Sequence, residues 1–319
     1  MLTVNDIVVL DVETINNCNA GCVLCLRHPG MRTNDALDWS QVTRQVPVQV
    51  WQNLKTINFN GTTGDNIMHP DIFNIVEWTV HNTTAEINIH TNGSLRSTSW
   101  WQQLGELLNG RKHSVVFAID GLEDTHETYR ANTNWQKIID NARAFVQGGG
   151  CAHWQFILFE HNAHQIDSCK QLSEQLNFEK FFVLRQDRFN LQDPSQSHLR
   201  PANPELVPAT VNFVEKDFIK PATGTISCES QREGWISIYA DGTVWPCCYL
   251  MGWHKAQQQK ITYEVVNYHF RNTLAIDFDQ INLYTNTLEN IINGDLWQKR
   301  YPESFKQSPN LICTQRCSK

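Results

Sequence analysis

The stretch ETINNCNAGCVLC, residues 13–25, carries three cysteines at the spacing C-x3-C-x2-C. It follows the apolar run Ile7–Leu10, and an apolar run that ends in Asn and Gly is typical of a buried strand leading into a loop. The thiols are therefore predicted on a loop at the C-terminal end of a first strand, where α/β barrels carry their chemistry. The three residues are Cys18, Cys22 and Cys25.

Three thiolates on one short loop suit a particular kind of metal centre. They can ligate three irons of a [4Fe–4S] cluster and leave the fourth iron open. Two alternatives fit the same spacing: a zinc site in which His28 supplies the fourth ligand, and buried cysteines without a metal. The spacing alone leaves all three interpretations open.

The sequence after this loop alternates between strand-like and helix-like segments. Strands are predicted at residues 56–60, 86–90, 113–120, 153–159 and 180–185, and helices at 38–54 (interrupted by Pro47), 70–80, 95–108, 135–146 and 163–176. With the first strand, this alternation predicts a parallel sheet with right-handed crossovers. Roughly six units do not close an eight-stranded barrel, so the predicted fold is α/β, a partial (β/α)6 TIM-type barrel.

Glycines and polar residues follow several of the predicted strands. They are Gly61, Gly64 and Asp65 after the second strand, Thr91, Asn92 and Gly93 after the third, and Asp120 at the end of the fourth, with Arg130 in the next segment. Glycine at a strand end allows the backbone to approach a ligand closely, although each segment alone is equally typical of an ordinary turn. An arginine here suits a bidentate pair with a carboxylate, or a plain surface position.

In this order, the cysteine loop and the strand-end motifs resemble the radical S-adenosylmethionine (SAM) superfamily over residues 7–186. The resemblance implies that the open iron binds the amino and carboxylate groups of SAM, whose cleavage yields a 5′-deoxyadenosyl radical. It further implies that the loop around Gly64 binds the SAM ammonium group, that residues 91–93 lie near the ribose or methionine, and that Arg130 pairs with the SAM carboxylate.

The sequence departs from the family pattern in two places. Asn66 stands where the G-G-E-P motif has Pro, and Ala118 stands where the S-x-D-G pattern has Ser. On the fifth predicted strand, Gln155 is the residue expected to reach the pocket. The Asn66-for-Pro departure bears on the rigidity of the loop after the second strand and leaves the predicted location of that loop unchanged.

The second half of the chain has a different pattern. Residues 191–222 are rich in proline and are predicted to form a linker or a substrate-covering loop. Two short alternating runs around Asp241-Gly242 then predict a β-hairpin. Four cysteines bracket this hairpin and the end of the chain, namely Cys228, Cys247, Cys313 and Cys317.

The pattern C-x13-G-x4-C from Cys228 to Cys247 is similar to the C-terminal extension called SPASM, here in its shortened "twitch" form. The resemblance implies one auxiliary [4Fe–4S] cluster with four cysteine ligands. Cys248 could replace Cys247, and a structural zinc site is the alternative. The predicted organisation is a barrel at 1–190, the linker at 191–222, and a small hairpin-plus-helix iron–sulfur domain at 223–319.

Composition limits the possible partners and surroundings. The 319 residues carry a net charge of −7 and form no basic face, so nucleic acid is not an expected partner. No apolar run approaches the roughly 20 residues of a membrane span, and no signal peptide is apparent. A cytoplasmic location is expected, and ten cysteines there favour metal or catalytic use over disulfides.

The resemblance implies an oxidoreductase-type enzyme that abstracts a hydrogen atom and then oxidises or cross-links its substrate. The substrate is expected to be a peptide or protein, and the electron donor a protein such as flavodoxin or ferredoxin. One alternative is dehydrogenation of a small molecule, such as a sugar alcohol or a cofactor precursor. Another is a non-enzymatic iron–sulfur electron carrier, although such a carrier has no need for the motifs at successive strand ends.

Overall fold

The computed structural model describes residues 2–25, 35–109, 112–185, 199, 212–214, 225–251, 276–307 and 311–318. In these ranges the first seven strands are β1 (Val9–Val12), β2 (Thr56–Phe59), β3 (Glu86–Thr91), β4 (Ser114–Ala118), β5 (Ala152–Leu158), β6 (Lys180–Arg185) and β7 (Asn212–Val214). The helices between them are α1 (Trp39–Gln45), α2 (Val48–Asn53), α3 (Ile72–Asn82), α4 (Thr98–Leu108), α5 (His126–Tyr129), α6 (Trp135–Gln147) and α7 (Ile166–Gln175). The predicted strand–helix alternation is confirmed, and Pro47 separates α1 from α2.

A hairpin completes the sheet beyond β1. It consists of β8 (Trp235–Ile238) and β9 (Val244–Trp245), and the strand order is β7-β6-β5-β4-β3-β2-β1-β8-β9. β9 is antiparallel to β8, as Asp241-Gly242 predicts. β8 pairs in parallel with β1, with Val9 opposite Trp235 and Val12 opposite Ile238. The C-terminal hairpin is therefore a direct continuation of the barrel sheet.

Four further helices flank or follow the hairpin in the described ranges: α8 (Glu229–Glu233), α9 (Leu288–Asn293), α10 (Tyr301–Gln307) and α11 (Leu311–Cys317). A single π-helical turn at Leu296–Arg300 leads into α10. The helix of the predicted hairpin-plus-helix domain is thus present as α9 and this turn. None of the helices among the described residues is long and apolar enough to cross a membrane.

Most of the predicted linker, residues 191–222, lies outside the described residues. Two parts of it are described. Leu199 is buried in a small apolar cluster beside Cys22, and residues 212–214 form β7, which pairs in parallel with β6. The proline-rich sequence did not predict this seventh strand.

Alternation along each strand separates an apolar face from a more polar one. In β5, Trp154 and Phe156 are fully buried, and the Trp154 ring lies 5.4 Å from that of Phe178 on the helix-facing side. His153 and Gln155 alternate with them and are half-buried. Successive strand residues point to opposite faces, so these two side chains lie on the interior face of the barrel.

One row of interior side chains is hydrogen-bonded across β1 to β4. Asn58 Nδ2 donates to Asp11 Oδ1 at 2.8 Å, and Asn88 Nδ2 donates to Asn58 Oδ1 at 3.1 Å. Ser114 Oγ donates to Asn88 Oδ1 at 2.6 Å. Burial raises the pKa of Asp11 to about 6, although the hydrogen bond from Asn58 opposes the shift. A one-residue slip of any strand would break this row, so the row favours the observed register.

Candidate active site

The cysteine loop that follows β1 is held by backbone hydrogen bonds to two neighbouring loops. The N–H of Gly21 donates to the carbonyl oxygen of Ala131 at 2.7 Å. The N–H of Asp65 donates to the carbonyl oxygen of Asn17 at 2.9 Å. The loops after β1, β2 and β4 therefore meet at the C-terminal edge of the sheet, where the sequence predicted the chemistry to lie.

Polar donors lie beside two of the three sulfurs. Cys18, Cys22 and Cys25 are all partly exposed. Asn92 Nδ2 lies 3.7 Å from Cys18 Sγ, and Arg130 Nη1 lies 3.9 Å from Cys22 Sγ. Burial raises the pKa of the Cys22 thiol, and the positive charge of Arg130 acts against that shift. A cationic donor beside a sulfur favours the thiolate, so this donor set fits a cluster held by the loop.

The Asp65 carboxylate joins the loops after β2 and β3. Thr91 Oγ1 donates to both of its oxygens at 3.0 Å. The backbone N–H and Nδ2 of Asn92 donate to Oδ2 at 2.8 and 2.6 Å, and Ile67 N–H donates to Oδ1 at 3.0 Å. With 4% of its surface exposed, Asp65 is occupied within the protein. It holds Asn92 beside Cys18 and presents no free carboxylate to a ligand.

A close approach of two backbone segments explains Gly64. A Cβ atom at Gly64 would lie 1.8 Å from the carbonyl oxygen of Ile15 and 3.0 Å from that of Asn17. At Gly61 a Cβ atom would lie 1.9 Å from the carbonyl oxygen of Gly64. Both glycines are thus required by the tight turn and by its packing against the segment that leads to the cysteines.

Replacing Gly64 with alanine is expected to lower the free energy of unfolding by about 1–3 kcal/mol, because the methyl group meets backbone that no rotamer change can clear. Urea unfolding followed by circular dichroism measures the change. Gly294→Ala is the matched control. A Cβ atom at Gly294 would lie 3.1 Å from the Ile291 carbonyl oxygen, and a cost below about 1 kcal/mol is expected there. Equal costs at the two sites would contradict the close approach.

Asp120 and Arg130 form a buried ion pair beside the cysteine loop. Arg130 Nε donates to Asp120 Oδ2 at 2.6 Å, and the side chains are 13% and 0% exposed. Asp120 Oδ1 also accepts the Ile157 N–H at 2.6 Å. Burial lowers the pKa of Arg130, but the Asp120 carboxylate, together with Cys22 and Tyr129, raises it above its usual value and keeps the guanidinium charged. Asp120 therefore orients Arg130 towards Cys22. Each of the two Asp120 carboxylate oxygens accepts a hydrogen bond from the protein.

The remaining predicted site residues lie around the same edge or just below it. Thr91 is the last residue of β3, and Asn92 and Gly93 follow it directly. Asn92 Nδ2 also donates to Asn19 Oδ1 at 2.9 Å, which ties this segment to the cysteine loop. Gln155 lies on the interior face of β5, opposite Ala118 of β4. The structure thus brings the predicted residues that follow the first four strands together around the cysteine loop.

Two residues near this edge were given no role in the sequence prediction. Glu13, the first residue after β1, has its carboxylate hydrogen-bonded to residues 62–64. Tyr239, the first residue after β8, has its hydroxyl 2.5 Å from Thr63 Oγ1. The sequence does contain a signal for Glu13, because a carboxylate that directly follows a buried strand, two residues after Asp11, is expected on the same interior face.

A second group of cysteines surrounds a cavity next to the hairpin. Its four members, brought together from distant parts of the sequence, are Cys228, Cys247, Cys313 and Cys317. Cys248 does not line this cavity; its thiol is instead a hydrogen-bond partner of Asp11. Tyr301 also faces the cavity, with its hydroxyl 3.5 Å from Cys228 Sγ. This geometry supports Cys247 over Cys248 as the fourth ligand of an auxiliary centre.

Burial raises the thiol pKa of two members of this second group, Cys247 and Cys313. Burial raises the pKa of Cys247 to about 12, and the neighbouring Cys228 thiol adds to the shift. The pKa of Cys313 is raised for the same reasons. A bound metal reverses this preference, because it stabilises the thiolate directly. No three thiol, imidazole or carboxyl groups within the described ranges are arranged to hold a single metal ion.

Comparisons with known proteins agree with this architecture. Residues 228–318 match the family of the SPASM iron–sulfur cluster-binding domain. The chain is similar to Streptococcus suis SuiB bound to precursor peptide SuiA, with 15% identity and a TM-score of 0.62 over 98% of this chain and 71% of that one. It is also similar to anSMEcpe with bound AdoMet, with 14% identity and a TM-score of 0.59 over 94% and 81%.

Coverage differs among the SuiB structures. The one bound to S-adenosylmethionine has 15% identity and a TM-score of 0.56, over 84% of this chain and 68% of that one. In another SuiB structure the chain spans 61% of the SuiB chain. No curated protein sequence matches this chain. Together, the motif order, the sheet and the match over 228–318 show that the chain combines the partial-barrel fold of the radical SAM enzymes with a C-terminal domain of the SPASM iron–sulfur family.

Proposed function

We propose that the chain is a radical SAM enzyme that modifies a peptide or protein by hydrogen abstraction followed by oxidation or cross-linking. The observation that carries the proposal is the convergence of four strand-end segments on one edge of the parallel sheet. There the loop with Cys18 and Cys22 contacts Asp65, Asn92 and Arg130, each from a different segment. An electron carrier would not need this arrangement around an incompletely ligated cluster.

Different residues of this edge are proposed to bind the cluster and the different groups of SAM. In the proposal the thiolates of Cys18, Cys22 and Cys25 hold the SAM-binding [4Fe–4S] cluster. Backbone groups of residues 61–65 receive the ammonium group of SAM, and residues 91–93 lie towards its ribose or methionine. The Arg130 guanidinium, fixed by Asp120, offers its remaining N–H groups to the SAM carboxylate. When bound, SAM and this cluster supply a 5′-deoxyadenosyl radical for hydrogen abstraction.

The second group of cysteines is assigned to electron transfer. Four thiolates are enough to ligate a [4Fe–4S] cluster fully, and four line the cavity next to the hairpin. The auxiliary cluster held there would accept the electron that the substrate loses on oxidation. A flavodoxin or ferredoxin is proposed as the external reductant.

A peptide or protein is the proposed substrate. SuiB has been solved with precursor peptide SuiA and anSMEcpe with a Cp18Cys peptide, and this chain is similar in fold to both. A small molecule, such as a sugar alcohol or a cofactor precursor, is the alternative. Incubating the reconstituted protein with peptide libraries and with sugar alcohols, each with SAM and dithionite, would separate the two by which one loses hydrogen.

The central test is cleavage of SAM by the anaerobically reconstituted protein in the presence of dithionite, followed by mass spectrometry. Formation of 5′-deoxyadenosine is expected, together with about eight irons per chain for two clusters. A protein that is loaded with iron yet neither binds SAM nor forms 5′-deoxyadenosine would overturn the proposal in favour of an electron carrier. Zinc in place of iron at the second cysteine group would remove the auxiliary cluster alone.

A further inference from the structure

The Glu13 carboxylate is buried at the end of β1 and accepts four hydrogen bonds from one short loop. Its Oε1 accepts the backbone N–H groups of Thr63 and Gly64, each at 2.7 Å, and Thr63 Oγ1 at 2.6 Å. Its Oε2 accepts the N–H of Thr62 at 3.0 Å. Glu13 is 2% exposed. A carboxylate that is almost fully buried and already accepts four hydrogen bonds from one loop acts through that loop rather than on a ligand.

All four groups around Glu13 are donors, which defines the chemistry of the position. A carboxylate accepts on both oxygens, whereas an amide side chain of the same shape would turn an N–H group towards one of the donors. Burial raises the pKa of Glu13 to about 7, and the bonds from Thr63, Thr62 and Gly64 oppose the shift. Burial therefore disfavours the charged carboxylate at this position. The four hydrogen bonds that the carboxylate accepts offset part of this free-energy cost.

Tyr239 of the hairpin extends the hydrogen-bond network around Glu13. The Thr63 hydroxyl has one proton, which it gives to Glu13, so at 2.5 Å the Tyr239 hydroxyl must be the donor to Thr63 Oγ1. Tyr239 directly follows β8, the strand of the hairpin that leads to Cys247. The loop at residues 61–65 is thus hydrogen-bonded to Glu13 at the end of β1 and, through Thr63, to Tyr239 of the hairpin.

We propose that Glu13 is a positioning residue for SAM: it fixes the backbone of residues 62–64 in the shape that receives the amino-acid part of SAM, and Tyr239 secures that shape from the auxiliary hairpin. The inference rests on the proposed function, since it assumes that the loop binds SAM. It assigns a role to a carboxylate that contacts neither SAM nor a cluster. The hydrogen bonds to Glu13 order the loop backbone before SAM binds, so binding loses less conformational entropy.

The test is equilibrium binding of SAM to the reconstituted holoprotein, with Glu13→Gln as the variant. An unpaired buried donor weakens the loop, so SAM is expected to bind about 10- to 100-fold more weakly. The KM for SAM should rise by a similar factor, while 5′-deoxyadenosine formation at saturating SAM stays within about twofold of the wild type. Iron content should not change. A loss of general stability alone would not produce this split.

Asp11→Asn is the matched control, because Asp11 is a buried carboxylate on the interior face of β1 that bonds to the side chains of Asn58 and Asn60 rather than to residues 61–65. Its SAM affinity is expected to stay within about twofold of the wild type. If Glu13→Gln cannot be reconstituted, Thr63→Val decides, since it removes the hydroxyl between Glu13 and Tyr239. Unchanged SAM affinity in the variant that is measured would overturn the inference. A wild type that binds no SAM would instead overturn the proposed function.

Discussion

Simultaneous replacement of Cys18, Cys22 and Cys25 with alanine is expected to abolish 5′-deoxyadenosine formation and to halve the iron content, from about eight to about four per chain. The three thiols are the cluster ligands in the proposed site, and no other described thiol lies on their loop. The second cysteine group lines a separate cavity and should keep its own cluster. Iron and sulfide analysis, together with mass spectrometry of the nucleoside product, measures both effects.

Cys151→Ala is a suitable control for this variant. Its thiol is partly exposed, lies 3.5 Å from His153 Nε2, and belongs to neither cysteine group. It should retain the wild-type iron content and activity. A triple variant that still forms 5′-deoxyadenosine would contradict the assignment of the cluster to this loop. A triple variant that loses all its iron would contradict the independence of the auxiliary centre.

Asp120→Ala is expected to lower the free energy of unfolding by about 3–5 kcal/mol, because it leaves the Arg130 guanidinium buried without its counter-charge. The Ile157 N–H loses its acceptor in the same variant. Arg130 is also no longer aimed at Cys22, so SAM binding should weaken together with stability. Denaturant unfolding and SAM binding to the reconstituted protein measure the two losses.

The exposed pair between Asp140 and Arg143 provides the comparison. Its atoms lie 3.0 Å apart, and the side chains are 41% and 48% exposed. Exposed pairs contribute little, so Asp140→Ala is expected to cost less than about 1 kcal/mol. If Asp120→Ala costs no more than Asp140→Ala, the Asp120–Arg130 pair is not the buried anchor that the structure indicates.

Local patterns in the sequence were sufficient to predict most of the elements. The strand at Lys180–Arg185 was predicted at its observed ends, since a run of apolar residues between polar segments is a short-range signal. The hairpin about Asp241-Gly242 was predicted for the same reason. The partner of that hairpin was not, because the pairing of Trp235 with Val9 joins residues far apart in the chain. A local signal does not specify such a pairing.

The same distinction applies to the site. The cysteine loop and the motifs at strand ends follow from spacing and from the family resemblance. The roles of the carboxylates follow from neither spacing nor resemblance, because each role depends on which donors the fold brings near the carboxylate. Asp65 and Asp120 bind protein groups and hold Asn92 and Arg130 in place. The sequence assigns no role to Glu13, since its four donors come from residues about 50 positions away.

The position of β1 between β2 and β8 has a consequence for synthesis of the chain. β2 leaves the ribosome soon after β1, but β8 follows more than 200 residues later. At about 5–20 residues per second, this interval lasts roughly 10–45 s. Throughout it, one side of Val9–Val12 has unpaired N–H and C=O groups that are able to pair with another extended chain. The nascent protein therefore carries an open strand edge next to its first cysteines until the last third of the sequence emerges.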